Sequence, residues 1–154
     1  MIIELQEVVF DQRVRGMCRL AYPNHPNGCP NFKHKNGCPP DCPPFSLDPP
    51  WFAIVNEFDF AAHVERMRGL HPVWSKRQLE CCLYWQPRAR KDLSVEIKRF
   101  LQEHPGLIID RCPEAGGVNV TDTLKRVGIV LEWPPVNIAR QVVFGGTPSL
   151  RPLA

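Results

Sequence analysis

"RARKDLSVEIKRFLQEHPGLIID", residues 88 to 110, sets a helix and a strand back to back. Ala89, Leu93, Ile97, Phe100 and Leu101 recur at the spacing of one helical face, which predicts a helix over 88–104. Pro105-Gly106 stops it, because proline cannot donate to the preceding turn and glycine lets the chain reverse. The apolar run 107–110 then reads as a short buried strand. Working outward, the alternation continues. Residues 2–10 and 51–58 read as strands, and Asp59 caps a short helix over 60–69 with Ala61, Val64 and Met67 on its apolar face. Ser75 and Gln78 form a capping box that opens a helix reaching about Gln86, where Pro87 restarts or kinks it. Gly116-Gly117 makes a tight turn, and Asn119 with Asp122 starts a helix that ends at Gly128. "IARQVVF", 138–144, is a final strand, and residues 145–154 read as a loose tail. Strands alternating with helices predict an α/β sandwich, and 154 residues suit a single domain, 1–154.

One segment resists this pattern. Nine of the seventeen prolines fall between Pro23 and Pro50, so no helix or central strand is expected there. The proline-rich, cysteine-rich loop 18–50 is therefore an insertion between strands. A disordered linker would be rich in Ser, Glu and Gln. This loop holds Cys, His, Tyr and Phe instead, the composition of a loop ordered by something it binds. The net charge of +3 is located here as well, since 11–42 contains five Lys or Arg against two Asp. A nucleic-acid face would spread its charge more widely.

Within the loop, "NGCPNFKHKNGCPPDCPPF" (27–45) follows each of its three cysteines with proline, and Cys112-Pro113 repeats the pair. Four of the seven cysteines are thus Cys-Pro in a chain that is about one-ninth proline. Proline after a ligand removes a backbone donor and biases the cysteine toward extended geometry, which holds the sulfur outward. Iron–sulfur ligand runs include such a pair, and a cluster accepts thiols from scattered positions. Arg13, Arg15, Arg19, Lys33 and Lys35 would favour thiolates over thiols. Zinc is the alternative cofactor: Cys38 and Cys42 have zinc-knuckle spacing, and His25 and His34 would complete a mixed site. Seven cysteines, an odd number, and the absence of a basic leader in "MIIELQEVVF" point to a cytoplasmic protein without a disulfide framework. No apolar run reaches the ~18 residues of a membrane span.

"CRLAYPNHPNGCPNFKHKNGCPPDCPPF" and "CPEAGGVNVTDTLKRVGI" together resemble a family of small, cysteine-rich, predicted metal-binding proteins of unassigned activity. Its members carry a CPP loop and an EAxGxNV segment. The resemblance covers both ends of the proposed site, Cys18 to Pro40 and Cys112 to Gly128, and implies a metal or iron–sulfur site without implying a reaction. It departs from the family in having a single downstream cysteine, Cys112.

Five cysteines are candidates, one more than a four-iron cluster uses. Cys29 and Cys38 share an Asn-Gly-Cys-Pro frame, and Cys112 leaves the end of a strand. Cys18, with the resemblance and a basic setting, completes the expected set Cys18, Cys29, Cys38 and Cys112, with Cys42 as alternative ligand. Cys81 and Cys82 are read as core residues mid-helix, since helical neighbours diverge by about 100°. Glu114 is read as a solvated carboxylate, Asn119 and Thr121 as helix caps, and the helix start beyond Gly116-Gly117 as a place that could accept an anion. Trp74, Tyr84 and Trp85 are read as core rather than base-stacking residues beside the basic stretches 76–78 and 88–91. The expected function is binding of a four-iron cluster. An open iron would act on a small molecule. A saturated cluster would serve as electron carrier to a redox partner protein. The alternative is a zinc module that contacts RNA or a protein.

Overall fold

Four strands form one antiparallel sheet in the order β1-β2-β4-β3, with β1 Ile2–Leu5, β2 Leu47–Asp59, β3 Ile108–Asp110 and β4 Ile138–Pro148. The structure, a computed structural model, describes residues 1–22 and 25–149. Helices α1 (Phe60–Leu70), α2 (Lys76–Leu79) and α3 (Gln86–Glu103) run between β2 and β3, and α4 (Val120–Lys125) lies between β3 and β4. The fold is α/β in one small domain, as the alternation of elements predicts.

Side-chain alternation along β2 and β4 divides the core between the two faces of the sheet. On one face Ile54 and Val143 pack against Leu93, Ile97 and Phe100 of α3, three residues of the stripe foreseen in the sequence, while Ala89 packs in another cluster and Leu101 is exposed. Phe100 is fully buried, and it fits because Gly145 has no side chain: a Cβ there would stand 2.5 Å from Phe100 Cζ. On the other face Ala53, Val55 and Phe144 meet Leu5, Val8, Val118, Val120 and Leu124. A third cluster of Phe60, Trp85, Ala89 and Ala139 closes the end near α1. Burial of each large side chain in these layers contributes about 1.5–3 kcal/mol.

Several expected boundaries move. The first strand stops at Leu5 rather than residue 10, and Phe10 makes only an isolated bridge to Val118. The second strand begins at Leu47 and carries Pro49-Pro50 inside it, although it is central in the sheet. The register explains how: pairing jumps from Asp48↔Thr147 to Phe52↔Gly145, so the prolines sit in an irregularity where no ladder donor is required. The helix expected from Ser75 to Gln86 is broken. Its capping box forms, but α2 ends at Leu79, Cys81 is extended (ψ 124°), and Cys82–Tyr84 is one 3-10 turn. Pro87 then lies in the first turn of α3, where its missing N–H costs nothing, so it starts that helix. The loose tail begins later than expected, because β4 runs on through Gly145 and Gly146 to Pro148. Residues 150–154 of that tail lie outside the described residues.

Candidate metal centre

Three segments bring the cysteines toward one place. The first is a 3-10 helix, Gln12–Arg19, capped by Asp11, whose carboxylate accepts from the Arg13 amide at 3.0 Å. Its last turn carries Cys18. The Cys29 amide donates to the Cys18 carbonyl at 2.7 Å and ties the loop to that turn. Gly28 makes the approach possible. Its φ is +82°, and a Cβ there would lie 2.6 Å from the Cys18 carbonyl oxygen.

The loop then winds through successive turns. Phe32 donates to the Cys29 carbonyl (3.1 Å), Lys33 to that of Pro39 (3.0 Å) and Cys38 to that of Lys35 (3.0 Å). Each of these amides belongs to a residue other than the Cys-Pro prolines, so the missing donors leave no unpaired group. Lys33 is the one described non-glycine residue with positive φ, at 64°.

The third segment is the turn Pro113–Gly116 that follows β3. Cys112 precedes it, with its amide donating to Asp110 Oδ1 at 2.8 Å. Cys42 joins the segments. Its buried thiol donates to the Ala115 carbonyl at 2.7 Å, while Arg15 donates to the carbonyls of Pro40 (3.0 Å) and Cys42 (2.8 Å) and to Cys42 Sγ (3.3 Å). Gly116 packs directly on Phe45, where a Cβ would stand 2.5 Å from the Phe45 nitrogen.

Two of the four cysteines expected as ligands, Cys18 and Cys112, are shifted by their surroundings. Burial raises the Cys18 thiol, and Cys29, Cys38 and Glu114 raise it further. Cys112 is exposed at the surface, yet the crowding of protein around it pushes its thiol up to about 11, helped by Glu114, Cys38, Asp110 and Cys18. For Cys18 and Cys112 this runs against the expectation that the basic residues favour thiolates. Arg13 is spent on Asp11 and Arg15 on carbonyls, so burial and neighbouring groups of the same sign prevail. Glu114 reaches solvent, yet its crowded surroundings raise its carboxyl, and burial likewise raises Asp110.

Tyr22, which the sequence reading passed over, sits beside this group. Its phenol is raised by burial, then by Cys29, and by Cys18 and Cys82. No local motif marks it, since it acts through a chain reversal with His25, whose ring lies 4.5 Å from its own. Cys82 therefore differs from the mid-helix residue expected. It leaves a helix break, packs beside the Trp85 cluster and lies within electrostatic reach of Tyr22. Cys81 is half-buried in the same break. All seven cysteines are free thiols.

Cys18 and Cys29 also line a cavity of about 730 Å³, together with Arg19, His25, Lys33 and His34. A smaller recess of about 240 Å³ opens beside Cys38. Among the described residues no three His, Cys, Asp or Glu side chains converge closely enough to hold a metal ion.

The remaining expected residues are placed as follows. Asn119 caps α4, accepting from the Asp122 amide at 3.0 Å, but Thr121 lies inside the helix, and the bonding hydroxyl is Thr123's. At the turn before that helix, the amides of Gly117, Val118 and Asn119 are taken by the carbonyls of Glu114, Pro113 and Val9. Trp85 is core, stacked on Phe58 at 5.4 Å, whereas Trp74 stands between His71 and Tyr84 in a surface stack.

No protein-family model matches the chain, no curated protein matches it, and no solved structure matches its fold. No helix among the described residues is long and apolar enough to cross a membrane.

Proposed function

We propose that this protein binds an iron–sulfur cluster, of the four-iron type, through Cys18, Cys29, Cys38 and Cys112, and that it works as an electron carrier. The observation that carries the reading is the separation of Cys42 from the other Cys-Pro cysteines. Cys42 is buried and engaged by Arg15 and the Ala115 carbonyl, while Cys18 and Cys112 each have two of the other three thiols among their electrostatic neighbours.

The donor set fits such a group. Four soft sulfur donors on separate segments suit a cluster, which spans more space than a single ion. Zinc would need its four donors on one point, from Cys38 and Cys42 with His25 and His34. When bound, the group supplies one-electron chemistry at a potential set by burial and by hydrogen bonds to the sulfurs.

The chain's own part is to carry the four thiols on segments tied to one another, which would draw together on binding, since no three of them converge beforehand among the described residues. Arg15 and Cys42 lock the loop onto the turn after Cys112, and Gly28 lets Cys29 close on Cys18. The raised thiols must lose their protons on binding, so uptake should release protons and strengthen with pH. With all four positions taken by thiols, no iron is left for a substrate. That favours the electron-carrier class over the open-iron enzyme.

Single alanine variants test the ligand set. Cys18→Ala, Cys29→Ala, Cys38→Ala and Cys112→Ala should each lose iron on anaerobic purification, and a Cys81→Ala/Cys82→Ala double variant should keep it. Normal iron content in Cys112→Ala would remove the two-sided site. Iron retained in every single variant would show that three thiols suffice and return the open-iron reading.

A further inference from the structure

The cavity beside Cys18 and Cys29 is charged on one side only. Arg19 and Lys33 line it with His25 and His34, and no carboxylate does. Neither Arg19 nor Lys33 forms an ion pair among the described residues, whereas Arg13 is paired with Asp11 and Arg126 with Glu7. Two cationic residues without an ion pair stand on the wall of one concave space, Arg19 with its Nη2 beside Gly16 and Lys33 shared with the smaller recess, and they contribute a positive potential to it.

Offsetting the charge of a thiolate cluster does not account for this placement. Cations serving that purpose would surround all four thiols. Here Asp110 and Glu114 flank Cys112 in sequence, and neither lines the cavity. Glu114 still lies within electrostatic reach of Cys18, and Asp41 shares the smaller neighbouring recess with Lys33, so the absence of a carboxylate holds for the walls of the larger cavity among the described residues.

The cavity walls carry a second feature. Pro26, Pro30 and Phe32 contribute apolar surface beside the cations. Lys33 is held in the left-handed region, φ 64°, by its amide bond to the Pro39 carbonyl, with Nζ 5.8 Å from the centre of the Phe32 ring. A non-glycine residue in that conformation is strained, and such strain persists where the surrounding structure imposes it. The volume of about 730 Å³ lies within the ~300–1,000 Å³ of small-molecule sites.

We propose that this cavity binds an organic oxyanion, a small molecule bearing a phosphate or carboxylate group, with Arg19 and Lys33 holding the anionic group and Phe32 and Pro30 lying against its apolar body. The site goes beyond the cluster reading, because side chains hold the ligand and no metal is required. It places a small anion next to two of the four thiols.

The test titrates the full chain, as purified anaerobically, with phenyl phosphate, benzoate and benzyl alcohol, reading binding by calorimetry. Iron and sulfide are measured on the same samples, so failure of the cluster and failure of the anion site are seen separately. Phenyl phosphate or benzoate should bind saturably, and the tighter of the two assigns the phosphate or the carboxylate source. Uncharged benzyl alcohol should bind at least about tenfold more weakly, having no charge-assisted hydrogen bonds to offer. Arg19→Gln/Lys33→Gln should weaken the anion by about tenfold or more. Because Arg19 adjoins Cys18, Lys33→Gln alone is the second variant, expected to weaken binding about threefold with unchanged iron. Benzyl alcohol binding as tightly as the anions, full affinity in Lys33→Gln and in the double variant, or no saturable anion binding to the natural sequence would overturn the proposal.

Discussion

The thiol of Cys42 donates to the carbonyl of Ala115 across 2.7 Å and 73 residues of sequence. This bond joins the proline-rich loop to the turn after Cys112, and Arg15 braces it from the other side. A sulfur with its proton committed to a buried carbonyl is a structural group. Cys42→Ser keeps a donor of similar reach, so iron content should stay at the natural level. Cys42→Ala leaves the Ala115 carbonyl unpaired and should cost about 1–3 kcal/mol in denaturant unfolding. Loss of iron in Cys42→Ser with unchanged stability would make Cys42 a ligand.

Gly28 and Gly37 occupy the same Asn-Gly-Cys-Pro frame with nearly the same φ, +82° and +80°, yet their surroundings differ. A Cβ at Gly28 would meet the backbone of Cys18 and Arg19 within 3 Å, whereas one at Gly37 meets nothing within 4 Å. Gly37→Ala should therefore cost only the left-handed penalty of about 1–2 kcal/mol and keep iron. Gly28→Ala should force Cys29 away from Cys18 and lose it. Equal iron in the two variants would show that the close approach of Cys18 and Cys29 does not matter.

Gly145→Ala tests the core beneath α3. The new methyl would stand 2.5 Å from Phe100 Cζ and 2.6 Å from its Cε1, in a site with no free volume. Overpacking of this kind costs about 1–3 kcal/mol, which thermal unfolding would detect. Gly106→Ala, where φ is +92° but nothing lies within 4 Å, should show the backbone cost alone.

His63 makes stability depend on pH. It is buried on α1 beside Phe58 and Phe60, its Nε2 has no hydrogen-bond partner among the described residues, and burial, then the Arg66 charge, lowers its pKa. As pH falls below about 6.5 the unfolded chain takes the proton first. The contribution of neutral His63 is thus complete above that value and is lost as pH falls through the folded pKa. His63→Phe, among aromatic neighbours, should reduce the drop in Tm between pH 7 and pH 5. An unchanged drop would contradict this.

The α3 stripe was legible because a long amphipathic helix repeats its signal, and Phe100 and Ile97 lie where the period puts them. The break at Cys81 was not, because the capping box at Ser75 and Gln78 announces a helix and no breaker stands before Pro87, while Leu79 and Trp85 are buried from separate elements. Pro49-Pro50 argued against a central strand, and only the register jump, a property of the paired strand β4, accommodates them. At the proposed site, the Cys-Pro repetition pointed to the loop and the turn that Cys42 joins, but the partners of Arg15 are backbone carbonyls, which no residue type announces. Tyr22 was invisible for the same reason. Its place depends on how the chain folds back toward Cys29 and Cys82.

The central claim is that Cys18, Cys29, Cys38 and Cys112 hold one iron–sulfur cluster, and metal and sulfide analysis of protein purified anaerobically tests it most directly. Cells are supplied with both iron and zinc, and the same sample is read for absorbance. The account predicts about four irons and about four sulfides per chain, with a broad thiolate-to-iron band near ~400 nm. Colourless protein with about one zinc per chain and no sulfide would contradict it.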